Sequence, residues 1–182
     1  MALLPAGELL RAADAGGYAV GAFNFSNLEL LQAIISAAEA ERAPVIIQAS
    51  QSGLAYAGVE YVAAIGRLAA QRASVPVALN LDHGRDWARI MACLRHGFTG
   101  VMVDGSHLPW AENVALVKRV VEVARAMGVS VEAELGRIVG TEDYIKVEQK
   151  EELFTDPAEA ARFVAETGVD ALAVAVGTAH GV

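Results

Sequence analysis

The sequence alternates short apolar runs, rich in β-branched residues, with longer segments in which apolar residues recur at helical spacing. The runs predict six strands, over residues 19–24, 45–50, 77–82, 100–105, 130–135 and 171–176. The segments between them predict helices near residues 27–41, 58–71, 86–96, 110–127 and 157–167, the last begun by Asp156 and Pro157. Alternation of strand and helix predicts a parallel sheet with right-handed crossovers.

Two folds are compatible with such a sheet, an open doubly wound sheet and a (β/α) barrel. A Gly-x-Gly-x-x-Gly fingerprint after the first strand would favour the doubly wound fold. The first run ends instead in Phe23-Asn24-Phe25, so the barrel is favoured. A longer polar connection, residues 136–156, follows the fifth strand and is predicted to be a mobile loop.

Polar residues stand at the C-terminal end of every predicted strand. They are Asn24, Gln48, Ser50, Asn80, Asp82, Asp104, Glu132, Glu134, Thr178 and His180. Side chains alternate along a strand, so the paired positions within one run share a face. Because ligand sites in barrels and open parallel sheets lie at the carboxyl edge, the sequence predicts a single site there.

Composition narrows the classes of function. The 182 residues suit one domain, spanning residues 1–182, and the formal net charge of −8 argues against nucleic-acid binding, which requires basic patches. No apolar run approaches the roughly 18 residues of a membrane helix. The single cysteine, Cys93, suits a reducing compartment, so we expect a cytoplasmic protein.

The sharpest chemical feature is Asp82-His83-Gly84 at the end of the third strand. A carboxylate beside an imidazole can serve in acid–base chemistry or in metal binding. His180, among small residues after the sixth strand, is a second candidate ligand, but a catalytic zinc takes about three protein ligands and no clear third is present. No lysine ends a predicted strand, which argues against a Schiff-base mechanism.

Six segments together carry a specific set of motifs. They are GYAVGAFNFSN (17–27), APVIIQAS (43–50), LNLDHG (79–84), VMVDGSHLPWAENV (101–114), VEAELGRIVGTED (131–143) and LFTDPAEAARFVAETGVDALAVAVGTAHG (153–181). This set resembles the N-terminal two-thirds of a class II, zinc-dependent ketose-bisphosphate aldolase, the tagatose-bisphosphate branch first and the fructose-bisphosphate branch next. The resemblance implies a (β/α)8 TIM barrel, truncated here after about six strands. It also implies a lyase that reversibly cleaves a ketose 1,6-bisphosphate into dihydroxyacetone phosphate and glyceraldehyde 3-phosphate.

The resemblance also implies two catalytic acids. Asp82 matches the carboxylate that protonates the aldehyde oxygen in condensation and removes that proton in cleavage. Glu142 matches the loop acid that takes the proton whose loss creates the enediolate. We therefore expect residues 136–146 to close over bound substrate and to bring Glu142 to that carbon.

The implied metal is zinc, with a second divalent or monovalent cation in some members. The residues that match metal ligands are His83 and His180 for zinc and Asp104 and Glu134 for the second cation. The residues that match substrate contacts are Gly181, for the dihydroxyacetone phosphate part, and Asn24 and Ser50, for a phosphate.

The chain departs from the resembled pattern in three places. Asn80, which cannot titrate, stands where the family usually has histidine, and Val139 stands where it usually has glycine. The third zinc histidine and most of the phosphate contacts are expected on two further strands that this sequence lacks.

Six strands cannot close an eight-stranded barrel, and their open edges invite pairing with another chain. We also expect a homo-oligomer, a dimer or a tetramer. Two alternatives to a phosphosugar aldolase remain open: a non-catalytic half-barrel that acts only in assembly, and a metal-dependent barrel enzyme of other chemistry, such as an epimerase. The sequence does not distinguish tagatose from fructose bisphosphate.

Overall fold

A six-stranded parallel sheet forms the centre of the computed structural model, which describes residues 3–142, 145–147 and 154–180. Its strands are β1 (Gly21–Asn24), β2 (Val45–Ser50), β3 (Val77–Gly84), β4 (Gly100–Val103), β5 (Ser130–Leu135) and β8 (Ala171–Val174). They lie side by side in chain order, each parallel to the next. A doubly wound sheet reverses its strand order at a switch point, so this order confirms the curled half-barrel and excludes the open alternative.

Seven helices accompany the sheet in the described residues. They are α1 (Ala6–Gly16), α2 (Leu28–Glu41), α3 (Gln51–Ala57), α4 (Val59–Arg72), α5 (Trp87–Arg95), α6 (Trp110–Ala126) and α7 (Pro157–Thr167). Five of them confirm the predicted helices, and α7 begins as expected, with the Asp156 carboxylate accepting from the amides of Ala158 and Glu159. None of the helices in this part of the chain is long and apolar enough to cross a bilayer.

Side-chain alternation divides the sheet into an apolar helix-facing side and a concave side that is polar toward the carboxyl ends of the strands. The apolar members of the main core include Val45, Ile47, Val77, Leu79, Leu81, Val101, Val103, Val131 and Ala133. The residues between them, such as Gln48, Asn80 and Glu132, face the concave side. The helices therefore cover one face, and the polar set found in the sequence is gathered on the other.

Helix α1, which the sequence did not predict, closes the amino end of the concave side. Ala6 and Leu9 pack there against Ile46 and Ala78, and the amide of Gly7 donates to Ser130 Oγ at 2.9 Å. Because α1 covers the amino end, the carboxyl ends of the strands are left for a site.

A second, smaller sheet lies within and beyond the predicted loop. It contains β6 (Val139–Glu142), β7 (Ile145–Val147) and β9 (Ala179–His180), with β6 antiparallel to β7 and parallel to β9. The expectation of a loop throughout 136–156 is therefore corrected over β6 and β7, where β-branched residues at alternate positions favour strand pairing.

The two outer strands of the large sheet, β1 and β8, each pair with a single neighbour among the described residues. All four residues of β1 are exposed, whereas all four residues of β4, in the middle of the sheet, are buried. These edges are the open strand edges that the sequence predicted for a six-stranded part of a barrel.

Candidate active site

An irregularity in β3 places Asp82 and His83 on the same side of the sheet. Neighbouring residues of a regular strand point to opposite faces. Here the register between β3 and β4 shifts between Leu81 and Gly84, and His83 adopts the left-handed region with φ of 48°. The shift lets the His83 ring stand beside the Asp82 carboxylate, with 3.9 Å between Nε2 and Oδ1.

Asp82 is buried and held from the first strand. Asn24, the last residue of β1, donates from Nδ2 to Asp82 Oδ2 at 2.8 Å, and Asp82 is 7% exposed. Asn24 was expected to contact a substrate phosphate. In this structure its amide fixes the orientation of the Asp82 carboxylate.

Asp104, just after β4, is the centre of a dense group of hydrogen bonds. Its Oδ2 atom lies 2.7 Å from Arg85 Nε, 2.6 Å from Arg85 Nη2 and 3.0 Å from His83 Nδ1. Its Oδ1 atom accepts from the Ser106 amide at 3.1 Å and the Ser106 hydroxyl at 2.7 Å. Burial by itself raises the pKa of Asp104, but hydrogen bonds from His83 and Ser106 and the charge of Arg85 hold it well below its usual range.

The contact between Asp104 and His83 fixes the tautomer of the imidazole. An ionised carboxylate only accepts hydrogen bonds, and the 3.0 Å contact of Nδ1 with Asp104 is shorter than its 3.5 Å contact with Arg85 Nη2. We therefore assign a proton to Nδ1 of His83. In the neutral ring Nε2 then carries the lone pair, and it is Nε2 that faces Asp82. A carboxylate behind a histidine is the arrangement that orients metal-binding imidazoles in proteins.

Two glutamates of β5 complete the acidic wall on the concave side. Glu134 is 3% exposed, and its Oε2 atom lies 3.5 Å from His83 Nδ1. Burial, with a smaller contribution from the charge of Asp82, raises the pKa of Glu132 to about 7, although His83 opposes the shift. Glu132 is therefore about half protonated at neutral pH.

Three of these side chains could hold a metal ion. One ligand atom each from His83, Asp104 and Glu134 lie within 4.8 Å of one another, and all three residues are buried. One imidazole nitrogen and two carboxylate oxygens form a donor set that suits a divalent cation. The sequence predicted all three residues as metal ligands.

The other predicted site residues are placed less completely. Ser50 begins α3: its Oγ accepts from the Gly53 amide at 3.2 Å and lies 2.8 Å from Ser52 Oγ. Glu142 and His180 lie on the small sheet, where Gly140 of β6 pairs with His180 of β9. The side chains of Glu142 and His180 lie outside the described part of the chain, as does Gly181, so their convergence on His83 stays a prediction.

Sequence reasoning missed Arg85 and Ser106, the two residues that bond most closely to Asp104. Arg85 directly follows the Asp-His-Gly motif. Its positive charge close to several strand-end acids could have identified it as a partner of one of them. Asn80, which replaces the usual histidine, is buried and packs tightly against Gly100, where an added Cβ would lie 2.5 Å from Asn80 Oδ1.

Comparisons with known proteins agree on one family. The model of the class-II fructose-bisphosphate aldolase family matches residues 5–182. A fructose-bisphosphate aldolase of Thermus caldophilus is 50% identical over 174 residues, which are 96% of this chain and 57% of that protein. The D-tagatose-1,6-bisphosphate aldolase subunit GatY of Klebsiella oxytoca is 45% identical over 181 residues, 100% of this chain and 64% of that protein.

Solved structures give the same result. The crystal structure of the YdjI aldolase from Escherichia coli K12 superposes with a TM-score of 0.87 at 35% identity, covering 98% of this chain and 64% of that one. The chain thus spans about three-fifths of the length of the curated relatives it matches.

Proposed function

Because the chain belongs to the class-II fructose-bisphosphate aldolase family, we propose that its sheet supplies part of an aldolase barrel that reversibly cleaves a ketose 1,6-bisphosphate. The products are dihydroxyacetone phosphate and glyceraldehyde 3-phosphate, and the substrate is fructose or tagatose 1,6-bisphosphate, as the names of two relatives suggest. The observation that carries the proposal is the Asp82–His83 pair, turned to one side by the irregularity in β3.

The cofactor in this proposal is zinc, which when bound polarises the ketone and acidifies the carbon beside it. His83 and His180 are the residues proposed to hold it, with His83 binding through Nε2 because Nδ1 donates to Asp104. The Asp104 carboxylate keeps the imidazole in this tautomer and orientation, which is the role of the outer partners of metal-binding histidines.

Asp82 is the proposed acid and base at the aldehyde oxygen. In cleavage it takes the hydroxyl proton of the carbon that becomes the aldehyde, and in condensation it returns that proton. The Asn24 amide holds one carboxylate oxygen, so the carboxylate is oriented before substrate arrives. Glu132 shares the concave side, where burial and the nearby charge of Asp82 raise its pKa to about 7.

Glu142 is the proposed base for the carbon beside the ketone. Its backbone lies on β6, two residues beyond Gly140, whose partner in β9 is His180. The small sheet therefore carries the proposed base and the second proposed zinc ligand together, and closure of residues 136–146 over substrate would bring Glu142 to the carbon that loses its proton. Gly181 and Ser50 are proposed to contact the phosphorylated ends of the substrate. Asn24 is proposed to do so with the amide hydrogen that it does not donate to Asp82.

The proposal also includes assembly and location. We propose a homo-oligomer, a dimer or a tetramer, for a protein of this family. The single cysteine, Cys93, is buried and unpaired by disulfide, which supports a cytoplasmic protein.

An aldol-cleavage assay tests the activity. We would assay two proteins: the 182-residue chain, and a chimaera in which residues 1–182 are followed by the part of the Thermus caldophilus relative beyond its matched region. Cleavage of either ketose bisphosphate by the chimaera that depends on added zinc and stops with a chelator is the expected result. A folded, zinc-binding chimaera that cleaves neither sugar would contradict the proposal and favour another metal-dependent reaction.

A further inference from the structure

We propose that the guanidinium of Arg85 takes the place of a second cation in the buried group of His83, Asp104 and Glu134. Asp104 then positions His83 and binds no metal itself. The inference rests on the proposed function only in taking His83 as a ligand of the catalytic zinc. Three properties support it: the hydrogen-bonding capacity of Asp104, the charge of Arg85 and the tautomer of His83.

The oxygens of Asp104 are fully used by the protein. An ionised carboxylate offers about four lone-pair sites. Oδ2 already faces Nε and Nη2 of Arg85 and Nδ1 of His83, at 2.7, 2.6 and 3.0 Å, and Oδ1 faces the amide and hydroxyl of Ser106, at 3.1 and 2.7 Å. Five close donors surround about four sites, so a metal at Asp104 would have to displace one of them.

The charge of Arg85 opposes a second cation at the same place. A guanidinium stays protonated in proteins, and the side chain of Arg85 is only 17% exposed. A divalent cation bound to Asp104 Oδ2 would therefore stand beside a fixed, poorly solvated positive charge. Removal of the Arg85 side chain would leave the buried Asp104 carboxylate uncompensated, which is costly unless another cation replaces the guanidinium.

The protonation of His83, the hydrogen-bond partner of Asp104, also argues against a metal in this buried group. A metal in the buried group would need the lone pair of Nδ1, the ring nitrogen that lies near both Asp104 and Glu134. That nitrogen carries the proton donated to Asp104, because the carboxylate can only accept. Arg85 keeps Asp104 ionised and in place, so it acts on the site through Asp104 and His83 as a positioning residue.

Zinc titration of the 182-residue chain and its variants tests the inference. The metal-free wild type, Arg85→Ala, Arg85→Lys and the double variant Arg85→Ala/Asp104→Asn are titrated with Zn²⁺, and bound metal is counted after gel filtration. We expect Arg85→Ala to bind one more zinc per chain than the wild type. The double variant loses the extra ion, and Arg85→Lys keeps the wild-type number. Arg95→Ala is the matched control. It removes an exposed arginine at the end of α5, the helix that follows Arg85, and should leave the number of bound zinc ions unchanged.

Two results of the titration would overturn the inference. One is a folded Arg85→Ala chain with the wild-type zinc number. The other is a wild-type chain that binds two zinc ions and keeps only one of them on Asp104→Asn, because Asp104 would then be a ligand of the second ion. A weaker affinity for a single ion is expected from either role, since Asp104 also orients His83. Both results are measured as bound zinc and not as turnover, so a failed aldolase assay does not affect this test.

A measurement on the unmutated chain covers the case in which Arg85→Ala does not fold. Nitrogen-15 NMR of the metal-free wild type distinguishes the two tautomers of each histidine, and the signal of His83 is identified by its absence in His83→Asn. We expect Nδ1 of His83 to carry a proton at neutral pH, in the neutral or in the charged ring. A neutral ring that is protonated only at Nε2 would contradict the inference, since Nδ1 would then be open to a metal.

Discussion

The carboxyl ends of β3, β4 and β5 and the small sheet of β6, β7 and β9 carry the two halves of the proposed chemistry, and they are held by different means. At the strand ends, side chains hold one another: Asn24 bonds Asp82, and Arg85 and Asp104 bond each other beside His83. In the small sheet the described contacts are backbone pairings, which set the register of β6 against β7 and β9.

The difference teaches which part of the site is formed before substrate binds. Asp82, His83 and Asp104 are 7%, 5% and 2% exposed, and rigid strands fix their backbones. Such a group is preorganised and stabilises charge without reorganisation during the reaction. Glu142 depends on the pairing of the short strand β6 with its neighbours, which suits a segment that moves when substrate binds.

Asp82→Asn tests the strand-end half and has the largest expected effect. In the chimaera defined above, we expect cleavage to fall by roughly 10²–10⁴-fold, the contribution of a well-placed acid–base group. Zinc affinity should stay within a few fold, because the amide keeps the size of the side chain and Asp82 is not among the proposed ligands. Steady-state cleavage rates and a zinc titration on the same preparation measure both quantities.

Asp86→Asn is the matched control for that prediction. Asp86 is four residues further along the chain, and its carboxylate caps α5 by accepting from the amides of Ala88 and Arg89. The same substitution there should cost about 1 kcal/mol of stability or less and leave turnover nearly unchanged. Loss of zinc together with turnover in Asp82→Asn would make Asp82 a ligand and would contradict the division between the two halves.

Glu142→Gln tests the small-sheet half. We expect exchange of the abstracted proton of dihydroxyacetone phosphate with solvent to slow by roughly 10²-fold or more, since the proposed base is lost. Zinc affinity should not change, because Glu142 is not a proposed ligand. Loss of the tritium or deuterium label from that carbon, followed in the chimaera, measures the exchange rate.

Lys146→Gln is the control for disturbance of the small sheet. Lys146 lies on β7 opposite Thr141, next to Glu142, so it reports on the pairing without removing the base. Exchange that is unaltered in Glu142→Gln would exclude Glu142 as the base. Equal slowing in both variants would mean that the pairing itself, and no single carboxylate, limits this half of the site.

The same contrast explains what could be predicted from the sequence. The concave positions of Asn80, Asp82 and Glu134 follow from side-chain alternation, which is a local property of a strand. The parallel order of the large sheet follows from the repeated strand–helix pattern. Both features can be predicted because the hydrophobic periodicity of each segment is visible in its own sequence.

What the sequence did not show depends on contacts between distant segments. The left-handed backbone of His83 follows from the register of β3 against β4, and no local signal marks a histidine there. The bonds from Arg85 and Ser106 to Asp104 required the ends of β3 and β4 to be side by side. Helix α1 was missed because its partners, Ile46 and Ala78, belong to strands far along the chain.

Glu132→Gln measures what the acidic wall on the concave side costs in stability, with no effect on chemistry required. Burial and the charge of Asp82 raise the pKa of Glu132 from 4.5 to about 7. The folded chain therefore keeps this proton up to about pH 7, whereas the unfolded chain loses it near pH 4.5. A group whose pKa is raised on folding costs stability as the pH rises between these values, at about 1.4 kcal/mol per unit.

Glutamine removes this cost, so the variant should be more stable than the wild type by about 3 kcal/mol at and above neutral pH and similar to it near pH 4.5. Urea unfolding of both chains across this range measures the difference, with the exposed Glu122→Gln as the control. The titration of Asp104 does not affect this comparison between pH 4.5 and 7. Its pKa is lowered, so the stability it contributes is present above about pH 4 and is lost only as the pH falls below that. A stability difference that does not grow with pH would mean that Glu132 is charged in the folded chain. The acidic wall would then carry its charges at no cost, and the strand-end group would be less tightly desolvated than its burial indicates.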